Sequence, residues 1–168
     1  RLRAHEAAIG DARMRLNKLG RFGAETEDFQ APFQDIWEAF FASQVLVFRN
    51  LKLGAEGYLA FARKFGRPEP HVIDQFHYPS HPDILIVSTV QKDGTPLGLA
   101  DAGTYFHTDY SYLDVPARCT TLYSVQVPSK GGDTLFADQY AAYDDLSPAM
   151  KKRIDGLVAL HHYGNRDD

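Results

Sequence analysis

Residues 103–112, GTYFHTDYSY, form the most informative stretch of the sequence. Its aromatic residues favour a β-strand, because aromatic side chains suit a pleated, half-buried surface. In an extended strand alternate side chains share a face, so His107 and Asp109 would project to the same side. The pair would then present one nitrogen and one oxygen donor to a common point. That is two-thirds of the 2-His-1-carboxylate triad that holds non-heme Fe(II).

The His-x-Asp spacing is common by itself. With 7 His and 16 Asp in 168 residues, chance gives about 0.7 such pairs, so the pattern needs support from other motifs. A second copy, His81-Pro82-Asp83, lies among prolines and is interpreted as a turn, since Pro82 removes a backbone donor. On spacing alone, a core histidine and a turn-capping aspartate explain His107 and Asp109 equally well.

Further motifs accompany the pair in a fixed order. Residues 127–138 read VPSKGGDTLFAD and residues 141–147 read AAYDDLS, while residues 45–50 read VLVFRN and residues 60–66 read AFARKFG. With these motifs, the chain resembles the Fe(II)- and 2-oxoglutarate-dependent dioxygenases of the taurine/dichlorophenoxyacetate dioxygenase family, from about Leu19 to the C-terminus. Several motifs in one order are far more specific than any one of them.

The resemblance implies a mainly β fold with flanking helices, a double-stranded β-helix (jelly roll) of the clavaminate synthase-like type. It implies that His107 and Asp109 are catalytic residues that ligate Fe(II). It also implies that the Thr134 hydroxyl binds the distal carboxylate of the co-substrate 2-oxoglutarate, through a charge-assisted hydrogen bond. Three further positions are assigned to substrate binding by the same resemblance: His71, Gly103 and Tyr110.

Positions 74 and 103 depart from the taurine-type members, and Phe106 also replaces the family's usual tryptophan. The tyrosine three residues after their substrate-binding histidine is Asp74 here, and the asparagine that precedes their iron-binding pair is Gly103. An acid at position 74 would repel a sulfonate, which argues against taurine itself. We expect a small anionic substrate of the sulfonate or carboxylate type, hydroxylated with release of succinate and CO₂. The Asp109 carboxylate argues against a halogenase, since those relatives carry a small residue there.

The resemblance places the second histidine of the triad, and an arginine for 2-oxoglutarate, beyond position 168. His161 and His162 fall where the family has an ordinary strand histidine, so neither is expected to be the missing ligand. We therefore expect residues 1–168 to be a single domain that is the N-terminal portion of a longer dioxygenase domain, incomplete at its C-terminus.

The composition fits one globular domain, with 44% hydrophobic and 24% charged residues. A net charge of −4 without a dense Lys/Arg run argues against nucleic-acid binding. No apolar run approaches the roughly 20 residues of a membrane span. The single cysteine, Cys119, is expected to be a small buried residue rather than a nucleophile. These features favour a cytoplasmic enzyme that meets a small-molecule substrate, 2-oxoglutarate and O₂, with a homo-oligomer left open.

Periodicity and capping signals predict the remaining elements. Strands are expected at residues 12–19, 45–48, 84–90, 119–127, 133–136 and 157–162. One helix should begin at Pro32, with a buried stripe from Phe33 to Phe41, and a second should run from about Ala55 to Phe65. Two short helices should follow residue 138, the second started by Ser147 and Pro148. Residues 20–31 and 67–83 are expected to be loops.

Two other functions stay open at the level of sequence. One is a non-catalytic jelly-roll binding module that keeps the early motifs. The other is a Zn(II) hydrolase that uses His107 and Asp109, which is weakened by the lack of a His-x-x-x-His pair. A downstream histidine followed by an arginine about ten residues later would decide for the oxygenase.

Overall fold

The computed structural model describes residues 17–18, 24–26 and 29–161 of the chain. The chain divides into two compact units, Arg1–Gly54 and Ala55–Asp168, and each is described by itself.

The first unit contains a three-stranded sheet in the order β1 (Asn17–Lys18), β2 (Ala24–Thr26) and β3 (Leu46–Phe48). β1 and β2 are antiparallel, whereas β2 and β3 are parallel and are connected through helix α1 (Phe33–Ser43). Parallel neighbours need such a crossover, because a tight hairpin cannot join them. The expected strand at residues 45–48 is confirmed. Residues 24–26 were expected to be loop, and this is wrong because β2 pairs with β3 there; residues 12–16 lie outside the described part.

Helix α1 begins where Pro32 predicts, with Pro32 in the N-cap position. The helix runs to Ser43, and the left-handed backbone of Gln44 then turns the chain away, while the Gln44 N–H still donates to the Phe40 carbonyl. The predicted buried stripe holds for Ile36, which is fully buried, but not for Phe41, which is 61% exposed. The Trp37 ring packs edge-on against Phe41 at a centroid distance of 4.8 Å.

The second unit begins with helix α2 (Ala55–Ala62), whose Leu59 is 2% exposed and whose Phe61 is also buried. The predicted helix extended to Phe65. The regular helix stops three residues earlier and continues as turns, in which the Phe65 N–H donates to the Ala62 carbonyl. Gly66, which was expected to stop the helix, follows these turns with a φ of +152°.

Two small antiparallel ladders follow α2. β4 (His77–Tyr78) pairs with β5 (His81–Leu85), and β6 (Gln91–Lys92) pairs with β7 (Thr95–Pro96). The interpretation of His81-Pro82-Asp83 as a turn is wrong, because these residues begin β5. Pro82 fits there because the ladder has only two strands, so both are edges, and because the register shifts at the start of β4.

The C-terminal half of this unit departs most from the predicted pattern. The strands expected at residues 103–112, 119–127, 133–136 and 157–161 are not regular strands in the structure, and residue 162 lies outside the described part. Residues 84–90 are a strand only to Leu85, with an isolated bridge from Val87 to Leu99. A strand exists only when a partner accepts its ladder hydrogen bonds, and sequence pattern alone cannot supply that partner.

The two short helices are confirmed. α3 (Gln139–Asp144) is capped by the Asp138 carboxylate, which accepts from the Ala141 N–H, and α4 (Pro148–Ile154) is capped by the Ser147 hydroxyl. The described residues thus form short strands with flanking helices, and no closed barrel is formed among them.

Gly98 offers a direct test of packing around the Val87–Leu99 bridge. A Cβ at Gly98 would lie 2.7 Å from the Ile86 carbonyl oxygen and 2.9 Å from the Ser88 nitrogen. Because both are backbone atoms, they cannot move aside cheaply. We expect Gly98→Ala to lower the free energy of unfolding by about 1–3 kcal/mol, measured by urea titration. Gly54→Ala is the control, since a Cβ there meets nothing within 4 Å; an equal loss in both variants would contradict the close-approach argument.

Candidate functional site

His107 and Asp109 lie in an irregular segment, yet their side chains meet. The His107 Nε2 atom lies 3.1 Å from the Asp109 Oδ1 atom, and both side chains are about two-fifths exposed, at 42% and 39%. The other ring nitrogen, Nδ1, lies 2.7 Å from the Tyr105 carbonyl oxygen. The structure therefore brings this predicted pair together, although not by the strand geometry that predicted it.

The hydrogen bond to Tyr105 decides what the His107 ring can do. A carbonyl oxygen only accepts, so Nδ1 carries the proton and, in the neutral ring, Nε2 keeps its lone pair. Histidine ligands of metals are oriented in this way by a carbonyl on the opposite nitrogen. Two adjacent ligands at about 2.1 Å from one ion are separated by about 3 Å. The Nε2–Oδ1 distance fits that spacing, and it equally fits an ion pair when His107 is protonated.

Thr120 is a member of the site that sequence reasoning missed. Its hydroxyl donates to Asp109 Oδ2 at 2.5 Å, so the two carboxylate oxygens have different neighbours. Thr120 is 11 residues away along the chain. No local motif links positions so far apart; a hint lies only in the polar Thr120-Thr121 pair within an otherwise strand-like run.

Gly103 lies against the His107 ring. Its φ of +72° is a conformation that side-chain-bearing residues rarely adopt, and a Cβ there would lie 3.1 Å from His107 Cε1. The lack of a side chain at Gly103, which the resemblance assigns to substrate binding, thus also leaves room for the imidazole of His107. An asparagine tolerates this backbone better than most residues, but its Cβ would still press on the ring.

His71 and Tyr110 are close to each other, with ring centroids 6.3 Å apart. The Ile73 N–H donates to His71 Nδ1 at 3.0 Å, and the His71 carbonyl accepts from His77 Nε2 at 2.9 Å. Burial lowers the pKa of His71, the neighbouring His77 lowers it further, and the Asp109 charge partly opposes both effects. A neutral His71 with Nδ1 as acceptor carries its proton on Nε2, and that N–H is available to a ligand.

Thr134 is exposed and lies in an irregular segment beyond Gly132. Asp74 is also exposed and begins a short 3-10 turn (Asp74–Phe76). Within residues 17–18, 24–26 and 29–161, no third His, Cys, Asp or Glu completes a metal-binding cluster.

The structure supports the expected inertness of Cys119. The residue is partly buried, and burial raises the pKa of its thiol, an effect that Arg118 only partly offsets. A thiol with a raised pKa holds little thiolate, the nucleophilic form.

Among the described residues, no helix has the length and apolar character to span a bilayer.

A family model described as "Taurine catabolism dioxygenase TauD, TfdA family" matches residues 15–168. The chain belongs to this family, whose members use Fe(II) and 2-oxoglutarate. The match confirms the resemblance drawn from the ordered motifs.

The chain is similar to several curated members of the family. It is 38% identical to a pentalenolactone F synthase of Streptomyces arenae, over 76% of this chain and 44% of that protein. It is 36% identical to an alpha-ketoglutarate-dependent 2,4-dichlorophenoxyacetate dioxygenase of a Burkholderia species, over 79% and 48%. It is 31% identical to an (S)-phenoxypropionate/alpha-ketoglutarate-dioxygenase of Sphingobium herbicidovorans, over 79% and 46%. The chain spans about half the length of these relatives.

The lowered pKa of His71 has a consequence for stability. Between the folded pKa and the ordinary histidine value of about 6.5, the unfolded chain binds more protons than the folded one. Stability therefore falls as pH drops below about 6.5, and this penalty grows until the folded pKa is reached. We expect His71→Gln, which keeps an acceptor for the Ile73 N–H, to show a smaller loss of unfolding free energy between pH 7.5 and 5.5. An unchanged pH dependence would contradict the assignment of a neutral His71.

Proposed function

We propose that the protein containing this chain is an Fe(II)- and 2-oxoglutarate-dependent dioxygenase that hydroxylates a small anionic substrate, with release of succinate and CO₂. The observation that carries the proposal is the convergence of His107 Nε2 and Asp109 Oδ1 at 3.1 Å, inside a chain that matches the family over residues 15–168. The spacing suits two adjacent ligands of one ferrous ion.

The donor set of the pair suits ferrous iron. An imidazole nitrogen and a carboxylate oxygen are two of the three ligands in the facial triad of non-heme oxygenases. The bound iron and 2-oxoglutarate would supply the oxygen-activating redox chemistry, while the protein supplies position and exclusion of side reactions. In this proposal the Tyr105 carbonyl holds a proton on Nδ1 of His107, so that in the neutral ring the Nε2 lone pair faces the metal.

The substrate is proposed to meet His71 and Tyr110. A neutral His71 offers its Nε2–H to an anionic oxygen without the desolvation cost that an imidazolium would bring. Two of the relatives are named for phenoxyacetate and phenoxypropionate substrates, and both of these are carboxylates. We therefore favour a carboxylate over a sulfonate.

The fold proposed for the complete domain is the double-stranded β-helix, to which residues 1–168 contribute a portion. Support comes from the family match and from the share of the relatives that the chain covers, 44–48%. Thr134 is proposed to bind the distal carboxylate of 2-oxoglutarate, as the family motif around Gly131 and Gly132 implies.

The first test removes the carboxylate of the metal pair. In the full-length protein, Asp109→Ala should lower succinate release by at least about 100-fold, because even outer partners of metal ligands cost 10–100-fold. The assay contains Fe(II), ascorbate, 2-oxoglutarate and a panel of carboxylates and sulfonates. Succinate is quantified by mass spectrometry.

Asp83→Ala is the matched control for this test. It belongs to the second His-x-Asp copy, but its carboxylate pairs with Arg63 at 3.3 Å while His81 pairs with Glu56 at 3.6 Å. We expect Asp83→Ala to retain activity. A wild-type protein that binds carboxylates without releasing succinate would instead favour the binding module.

The second test concerns Thr134. Loss of one hydrogen bond to a charged group corresponds to roughly a tenfold to hundredfold change in binding. Thr134→Val should raise the KM for 2-oxoglutarate by at least about tenfold and leave the Fe(II) affinity unchanged. Thr134→Ser keeps the hydroxyl and should have a KM for 2-oxoglutarate close to that of the wild type. A KM equal to wild type in the valine variant would remove Thr134 from the 2-oxoglutarate site.

A further inference from the structure

We propose that Thr120 is a positioning residue for Asp109, which fixes the carboxylate so that only Oδ1 is presented to the metal. The inference rests on the proposed function, because it concerns how this chain prepares the same pair. Thr120 touches neither substrate nor metal in this proposal; it acts through Asp109 alone.

The two oxygens of Asp109 have separate roles in the structure. Oδ2 accepts a hydrogen bond from the Thr120 hydroxyl, whereas Oδ1 faces His107 Nε2 at 3.1 Å. A carboxylate with one oxygen held in this way cannot rotate freely about its last bond. It is therefore arranged to bind a cation through a single oxygen, which leaves more coordination positions for other ligands.

The backbone around Thr120 is itself held in place. The Tyr58 hydroxyl of α2 donates to the Thr121 carbonyl at 2.6 Å and lies 2.9 Å from the Thr121 hydroxyl. The Tyr58 ring also packs on Tyr123 at a centroid distance of 5.9 Å. Burial raises the pKa of Tyr58, so its hydroxyl remains a donor throughout the physiological range.

Helix α2 is anchored by the burial of Leu59, which is next to Tyr58 and 2% exposed.

The side chains of the extended segment, residues 117–123, alternate between two sides of the chain. From Ala117 to Tyr123 every second residue is partly buried and the others are exposed, which is the period of an extended chain. Thr121 points towards Tyr58, so Thr120 must point the other way, and there it meets Asp109.

The test measures metal affinity rather than turnover. Mn(II) binding to the full-length protein is followed by electron paramagnetic resonance in the absence of 2-oxoglutarate and substrate. Thr120→Val keeps the branched shape and removes the hydroxyl; we expect Mn(II) affinity to fall about 10–100-fold, the usual effect of losing an outer partner of a metal ligand. Thr120→Ser keeps the hydroxyl and should bind Mn(II) within about threefold of wild type.

Two controls make the result specific. Thr95→Val makes the same change at an exposed threonine of β7 and should leave Mn(II) affinity unchanged. Thr120→Ala also removes the hydroxyl, with a smaller residue. If circular dichroism shows that the valine variant is unfolded, the alanine variant tests the role of the hydroxyl in its place. Since Thr120 is exposed, one of the two truncations is expected to fold.

The outcomes separate this inference from the proposed function. Wild-type affinity in Thr120→Val or Thr120→Ala, together with loss of binding in Asp109→Ala, overturns the role of Thr120 and leaves the metal pair intact. Undiminished Mn(II) binding in Asp109→Ala overturns the metal pair itself. A loss in the valine variant that serine does not rescue also counts against the proposal, because it would reflect shape rather than the hydroxyl.

Discussion

The carboxylate of Asp109 is the constraint on which the candidate site depends. Its two oxygens are engaged from different parts of the chain, Oδ1 by His107 and Oδ2 by Thr120. The side chain is about two-fifths exposed, so each contact alone would be weakened by water. The hydrogen bond from Thr120 restricts the rotation of the carboxylate before any ligand arrives. A pre-oriented carboxylate binds a cation more tightly because less entropy is lost on binding.

The helices were predictable because their signals are local. Pro32 ahead of α1 and Ser147 with Pro148 at α4 both act within one turn of the helix that they begin. Strands are different, since each needs a partner whose position is set elsewhere in the chain. The strand predicted at residues 45–48 pairs with β2, whereas residues 119–127 form no ladder within the described part. Up to Tyr123 these residues keep the alternating burial of a strand without its ladder hydrogen bonds, and residues 124–127 are all exposed.

The metal pair was predicted from spacing, but by an incomplete physical argument. The side chains were expected to share one face of a strand. Instead, residues 109–112 form turns and Tyr110 adopts a φ of +54°, which is unusual for a bulky residue and typical of functional sites. The hydrogen bond from His107 Nδ1 to Tyr105 orients the ring in place of the strand. Thr120 was not predictable, because its partner lies 11 residues away and no pattern connects them.

The predicted site residues differ in how far along the chain their hydrogen-bond partners lie. His107 is oriented by a residue two positions away, and His71 is held by Ile73 at the same separation, so both sites form from short-range contacts. Thr134 is exposed, and Leu135 beside it is 71% exposed. In the proposed site, the His107 ring is therefore oriented by local chain geometry, whereas Asp109 also depends on Thr120, which lies 11 residues away. Local contacts form at little entropic cost and distant ones at a larger cost, and sequence motifs identify the former more readily than the latter.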